Sequence, residues 1–373
     1  MPDSSAMTQT SDESPKTDQS LDCSRFEKPD HWPPEHPATP FGKTGLLLVN
    51  LGTPDSLEVS DIRKYLKEFL SDRRVIEVNR VLWWLLLNGI ILNTRPRKTR
   101  EAYAKIWMTE QDVSPLRYYT EQQTDKLREM LADHSDHLVV DWAMRYGNPS
   151  IESRLKRLQA QGCERIVVVA LYPHYAAPTS ATVYDKCFDA LKKMRWQPVM
   201  RAAAPWHDHP VFIDALAKSI ETHLAGLDHE PEKIILSYHG LPQEYFDKGD
   251  PYHCHCHKTT RLVRERLGWP DDGRLVTTFQ SRFGKAEWIK PYTDETVEHM
   301  AEHDGVKSIA VITPGFVSDC VETLEEINIE LRDDFIEAGG EKFSFIPCLN
   351  DTEDGMAVLH AIARRELAGW VDV

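Results

Sequence analysis

The chain is short of positive charge. Its 373 residues carry 44 Lys and Arg against 59 Asp and Glu, a net charge of −15. That balance argues against nucleic acid as a partner, because phosphate binding wants a basic face; a local patch can still suit a membrane. Cysteine is scarce too: seven residues, all standing singly except Cys254 and Cys256. An odd, scattered set excludes a disulfide framework and points to a reducing compartment. No apolar run is long enough to span a bilayer, the stretch Val81–Leu92 included. A secretory signal is missing as well. The first forty residues are polar, acidic and rich in Ser, Thr, Asp and Pro, whereas a mitochondrial transit peptide wants Arg and few acids. Residues 1–42 read as a disordered tail.

What is present is a regular alternation. The apolar runs "LLLVNLG", "LVVDWAMRYG", "RIVVVALYPHY", "PVMRAAAPW", "IILSYHG", "LVTTFQSRFG", "SIAVITPGFVS" and "FSFIPCLND" are separated by amphipathic helical patterns. Continuous apolar strands between helices predict parallel sheets covered on both faces. The series also repeats: "LLLVNLG" matches "IILSYHG", "MRYG" matches "SRFG", and "CERIVVVALYPHY" matches "VKSIAVITPGFVS". The prediction is an α/β protein of two similar Rossmann-like domains, each a four-stranded parallel sheet flanked by helices, facing each other across a cleft. The first domain is placed at 43–206, the second at 207–350, and a C-terminal helix at 351–373.

The halves differ in length. Gly52 to Gly147 is 95 residues and Gly240 to Gly284 is 44, so the first half carries 51 more. The extra segment holds "NRVLWWLLLNGIILNTRPRKTR". A buried core helix would account for the apolar part. Adjacent tryptophans beside Arg95, Arg97, Lys98 and Arg100 fit better with an exposed lip, at about 80–100, resting on a membrane surface.

Ligands in such folds bind at strand carboxyl ends, where few unusual groups stand. Arg145 and Tyr146 end the second strand, Tyr172 and His174 the third, and His239 the fifth. After the seventh comes "TPGFVSDCVETLEEI", where Glu322 and Glu326 share a helix face and Asp319 is close by. A histidine facing carboxylates can bind a divalent metal weakly or move protons. The alternatives are a core histidine and a solvated acidic face. The run "HCHCH", His253–His257, looks like a zinc site. Adjacent residues in a strand or loop point to opposite sides, however, and the chain offers no second cysteine pair to close a tetrahedral site. It reads as surface histidines and reduced thiols.

Taken in order, "LLLVNLGTPDS", "SYHGLP", "GDPY", "FQSRFGKAEWIKPYTDET" and "TPGFVSDCVETLEEI" resemble the ferrochelatase family from Gly45 to about Asn350. The resemblance implies a chelatase fold around a porphyrin cleft and the insertion of Fe²⁺, as substrate, into protoporphyrin IX with release of two protons, the last step of haem biosynthesis. It implies that His239 and Glu322 are catalytic and meet the metal, and that Asp319 and Glu326 form a path for protons or iron. Arg95, Tyr103, Arg145, Tyr146, Tyr172 and Trp288 would bind the porphyrin. Some members hold a [2Fe-2S] cluster through cysteines near the C-terminus; this chain has none after Cys348, so no cluster of that type is expected. Many members have His where this chain has Cys320, and a thiol there bears on metal preference. The expected setting is a monomer in the cytoplasm, peripheral to the inner membrane through the lip, with no nucleic-acid partner. A sirohydrochlorin or cobalt chelatase, and a haem or metal carrier using the HCHCH run, are the rival readings.

Overall fold

The computed structural model describes Pro33, Glu35 and residues 41–373 except Lys285. The tail expected over 1–42 falls almost wholly outside the described residues. Within them, the first half runs β1 (Lys43–Gly52), α1 (Val59–Ser71), α2 (Arg80–Leu86), a π-helical turn (Leu87–Ile91), α3 (Leu92–Ile106), α4 (Pro115–Met130), β2 (Leu138–Tyr146), α5 (Ile151–Ala160), β3 (Cys163–Ala170), a second π turn (Ala177–Ala181), α6 (Thr182–Leu191), β4 (Val199–Ala202) and α7 (Pro210–Ala225). The second half runs β5 (Lys233–His239), α8 (Gln243–Asp247), α9 (Tyr252–Leu267), β6 (Leu275–Gln280), α10 (Thr293–Glu302), β7 (Ser308–Ile312), α11 (Val321–Leu324), a third π turn (Glu326–Leu331), α12 (Arg332–Glu337), β8 (Lys342–Ile346) and α13 (Glu353–Leu367).

The two sheets are copies: the strand orders are β2-β1-β3-β4 and β6-β5-β7-β8, and every pairing is parallel. Strands β1 and β5 are apolar on both faces because helices cover both, as parallel sheets require. Local signals start the helices. The Ser150 hydroxyl accepts from the Ser153 N–H at the head of α5, and Thr352 does the same for Gly355 at α13.

The structure moves one sequence match. Asn50 pairs with Met144, and its counterpart Tyr238 pairs with Phe279. The Met144 N–H donates to the Pro149 carbonyl at 2.7 Å and the Phe279 N–H to the Pro291 carbonyl at 2.8 Å. Met144 therefore corresponds to Phe279 and Arg145 to Gln280, so aligning "MRYG" with "SRFG" is two residues out of register. Met144 to Pro149 is five residues, whereas Phe279 to Pro291 is twelve. The second half thus has an insertion of its own, directly after β6.

Packing ties the halves together. One core cluster joins Leu46, Leu48 and Trp142 of the first sheet to Ile234, Leu236 and Ile346 of the second, through Leu127, Ile220, Val263 and Ile362 of α4, α7, α9 and α13. Separate clusters back the outer faces of each sheet. A fourth, of Ile62, Leu66, Leu70, Leu87 and Leu92, roots the long insertion.

That insertion is not a buried core helix. Val81 is 71% exposed and Trp84 61%, with Leu82, Leu85, Leu86 and Ile90 also exposed. Trp83 turns the other way, its indole N–H donating to the Leu70 carbonyl at 2.7 Å. Among the described residues no helix is long and apolar enough to cross a membrane.

Candidate active site

A cleft opens at the carboxyl ends of β1 and β5, between the lip and the loop after β6. His239 ends β5 on its wall. Its Nδ1–H donates to the Gly240 carbonyl at 2.7 Å, which leaves Nε2 as the ring nitrogen not committed to the backbone. Gly240 has no side chain for a reason: a Cβ there would stand 2.8 Å from the Gln280 carbonyl and 3.1 Å from the Trp288 ring. The absence of a side chain lets Trp288 lie against the strand end, fixed by an indole N–H donated to the Phe283 carbonyl at 3.1 Å.

Glu322 and Glu326 reach the same cleft from α11 and the π turn that follows. The Gln280 amide, held by the Ser237 hydroxyl at 2.8 Å, donates to the Glu322 carbonyl at 2.7 Å. Ser281 adopts φ 66°, a left-handed conformation uncommon for a residue with a Cβ. Its hydroxyl donates to Glu326. Burial and the charge of Glu322 push Glu326 up to about 8, which favours its protonated form. Between the two glutamates, Glu325 points away and binds Lys105 of α3 at 2.6 Å, pinning the lip to the carboxylate helix. Burial, with the Glu322 charge behind it, pushes the Cys320 thiol well up. It faces the cleft as a neutral group rather than as a thiolate.

The remaining walls are aromatic and apolar. Tyr65 and Phe69 of α1 stack at 6.1 Å. Tyr172 accepts the Leu51 N–H at 3.3 Å. Arg95 of α3 lies 6.0 Å over Phe283. Burial first, then nearby acids, pushes the phenols of Tyr65 and Tyr172 up, so both stay neutral. His174 also lines the cleft, caged by Tyr238 at 5.2 Å. Thr259 gives its proton to the His207 carbonyl, so His174 Nε2–H donates to Thr259, and its buried Nδ1 has no hydrogen-bond partner among the described residues.

Of the residues singled out by sequence, His239, Glu322, Glu326, Arg95, Tyr172 and Trp288 are brought together. Arg145, Tyr146, Tyr103 and Asp319 are not among the lining residues. Arg145, Tyr146 and Thr182 all donate to the carboxylate of Asp72. Burial pushes that carboxyl up, but the Thr182 hydroxyl, the Arg74 N–H and the Arg145 charge outweigh it and hold it down. Tyr103 stands behind Tyr65, edge to face at 6.5 Å. Asp319 is buried and saturated, accepting from Asn350 at 2.6 Å and Thr323 at 2.9 Å. Sequence reasoning missed Tyr65, Phe69 and Phe283. The one signal for Tyr65 and Phe69 was an aromatic pair four apart on α1, which also suits an ordinary core.

The HCHCH run is helical, not a loop or strand: it forms the first turns of α9, which starts after Pro251 and ends at Gly268 in the left-handed conformation. Among the described residues no group of three or more His, Cys, Asp or Glu side chains is arranged to hold a metal ion.

Paired four-stranded sheets meeting at a cleft that carries an imidazole and two carboxylates define a chelatase-type protein. The solved structure of SirB from Bacillus subtilis with Fe³⁺ shares the fold, with a TM-score of 0.51 over 87% of this chain and 96% of that one at 13% identity. The ferrochelatase family model matches residues 43–367. Ferrochelatases of Allorhizobium ampelinum and Rhizobium meliloti are each 60% identical, over 91% and 90% of this chain and 98% of theirs. The chain belongs to the ferrochelatase family. It is a lyase that inserts ferrous iron into a porphyrin at the last step of haem biosynthesis.

Proposed function

We propose that His239 and Glu322 are the catalytic pair, with His239 Nε2 taking a pyrrole proton and Glu322 meeting the iron. The porphyrin must lose two N–H protons as it takes up Fe²⁺, so a neutral imidazole and a nearby carboxylate supply the acceptors. Glu322 takes the second pyrrole proton as it gives up the iron, and Glu326, with Asp319 behind it, forms the path by which protons leave or iron arrives. Oxygen and nitrogen ligands suit a metal that must be released, since a thiolate cage would hold it too firmly. Arg95, Tyr172 and Trp288 clasp protoporphyrin IX, and Tyr103, Arg145 and Tyr146 brace that wall. Binding a macrocycle bent between the walls spends binding energy on aiming its lone pairs at the metal. The convergence of His239, Glu322 and Glu326 on one aromatic cleft is the observation that supports this reading most.

The same reading divides the chain at 206/207 and keeps iron as substrate, with no [2Fe-2S] cluster. It sets the protein in the cytoplasm as a monomer without a nucleic-acid partner, its exposed lip on the inner-membrane surface where an apolar porphyrin dissolves. The test is anaerobic incubation of His239→Ala with Fe²⁺ and protoporphyrin, followed by absorbance, with porphyrin fluorescence reporting binding. Binding kept and metallation lost is the expected result. Metallation within tenfold of the unmodified protein, about 1.4 kcal/mol in the barrier, overturns the assignment.

A further inference from the structure

In a helix the HCHCH run divides by face. His255 stacks on His207 at 3.7 Å and accepts the Tyr175 N–H at 3.3 Å. Cys256 is fully buried. His253 and His257, four residues apart, lie side by side. Their Nε2 atoms are 3.2 Å apart. Both rings are braced: His253 stacks on Phe279 at 5.5 Å and meets Phe246 at 5.3 Å, and His257 lies 6.1 Å from Phe279. Two imidazole nitrogens bound to one metal at about 2.05 Å, at an angle between octahedral and tetrahedral, stand about 2.9 to 3.3 Å apart. The observed spacing falls inside that window.

We propose that His253 and His257 form a two-imidazole chelate for a borderline divalent cation such as zinc, cobalt, nickel or ferrous iron, on the surface of α9. Water fills the remaining positions. With two protein ligands the metal exchanges, so the site captures ions rather than holding up the fold. Without metal, one neutral ring donates its Nε2–H to the other. Binding shifts that ring to its Nδ1–H tautomer, which frees both Nε2 lone pairs and releases no proton. Burial lowers the basicity of both rings, which favours their neutral forms. The site is distinct from the cleft: Tyr252 lines the cleft, but His253 and His257 are not among its lining residues.

The experiment is a titration of the full chain with Zn²⁺ against a chromophoric chelator, repeated with Co²⁺ followed by its visible spectrum. The unmodified protein is expected to bind one equivalent more than His253→Gln/His257→Gln. His257→Gln alone, at an exposed position, should weaken that equivalent at least tenfold with an unchanged circular dichroism spectrum. Cys254→Ser, His255→Gln and His239→Ala should keep it. Affinities should rise from Fe²⁺ through Co²⁺ to Ni²⁺. Equal stoichiometry and affinity in the unmodified and double-variant proteins overturns the proposal. So does loss of the equivalent in Cys254→Ser with both surface histidines intact.

Discussion

The two halves share a backbone and differ in what it carries. Leu51 and His239 stand at the same place, each before a glycine that closes against the neighbouring strand. One half ends its strand in a hydrocarbon, the other in an imidazole. The insertions differ as well. Gly52 to Met144 is 92 residues and Gly240 to Phe279 is 39, and the excess builds the lip. The second half lengthens instead after β6, where Ser281, Phe283 and Trp288 enter the cleft wall. A duplicated scaffold therefore fixes where strand ends lie. On the proposed assignment of His239, single side chains and segment lengths decide which copy does chemistry and which makes a wall.

The sharpest way to break this comparison is His239→Leu, which gives the second half the residue of the first. Metallation should fall at least a hundredfold, about 2.7 kcal/mol, with porphyrin affinity kept; a smaller loss means the copies are not divided in this way. Glu322→Gln keeps shape and removes charge. Single-turnover metallation should slow about tenfold or more with porphyrin binding unchanged, whereas weakened binding with unchanged turnover would make Glu322 a binding group. The two strand-end glycines give a third test. A Cβ at Gly52, at φ 118°, meets the Tyr146 carbonyl at 1.9 Å, against 2.8 Å at Gly240. Gly52→Ala should cost about 3 kcal/mol or more and Gly240→Ala about 1 to 2, and equal denaturant midpoints would refute the difference. On the lip, Trp84→Ser with Leu85→Ser should weaken binding to anionic vesicles roughly tenfold at unchanged stability. Leu87→Ser, at a buried position, should lower stability instead.

The smallest effect concerns Glu326. Its folded pKa, about 8, lies above the ordinary 4.5, so its contribution to stability is full below about pH 4.5 and lost as pH rises through about 8. Glu326→Gln should therefore gain on the unmodified protein in melting temperature across that window and level off above it. A constant difference from pH 4 to 9 would show that the carboxyl is not held protonated by its surroundings.

Much of this was legible in the residues, because apolar runs of strand length and glycines at their ends survive without knowledge of tertiary contacts. His239 and Glu322 stood out as polar groups where a strand or helix meets the cleft. Tyr65, Phe69 and Phe283 did not, since an aromatic wall and an aromatic core have the same local pattern. Asp72 was invisible for another reason: its three side-chain donors come from β2 and α6, far away in sequence. The register of β2 against β6 was misread because "RYG" and "RFG" look alike, whereas backbone pairing follows hydrogen bonds. The HCHCH run was misread although Pro251 before it and Gly268 after it are helix start and stop residues.

The core common to both sheets determines how the cleft responds to load. Leu46, Ile234, Ile220 and Ile362 belong to one packed mass, and such interiors are barely compressible. The halves cannot swing apart like jaws without tearing it. On the proposed reading, a flat, conjugated guest between Tyr65, Trp288 and the wall around His239 meets a body stiffer than itself. The strain would then reside in the guest, with the cleft as its anvil.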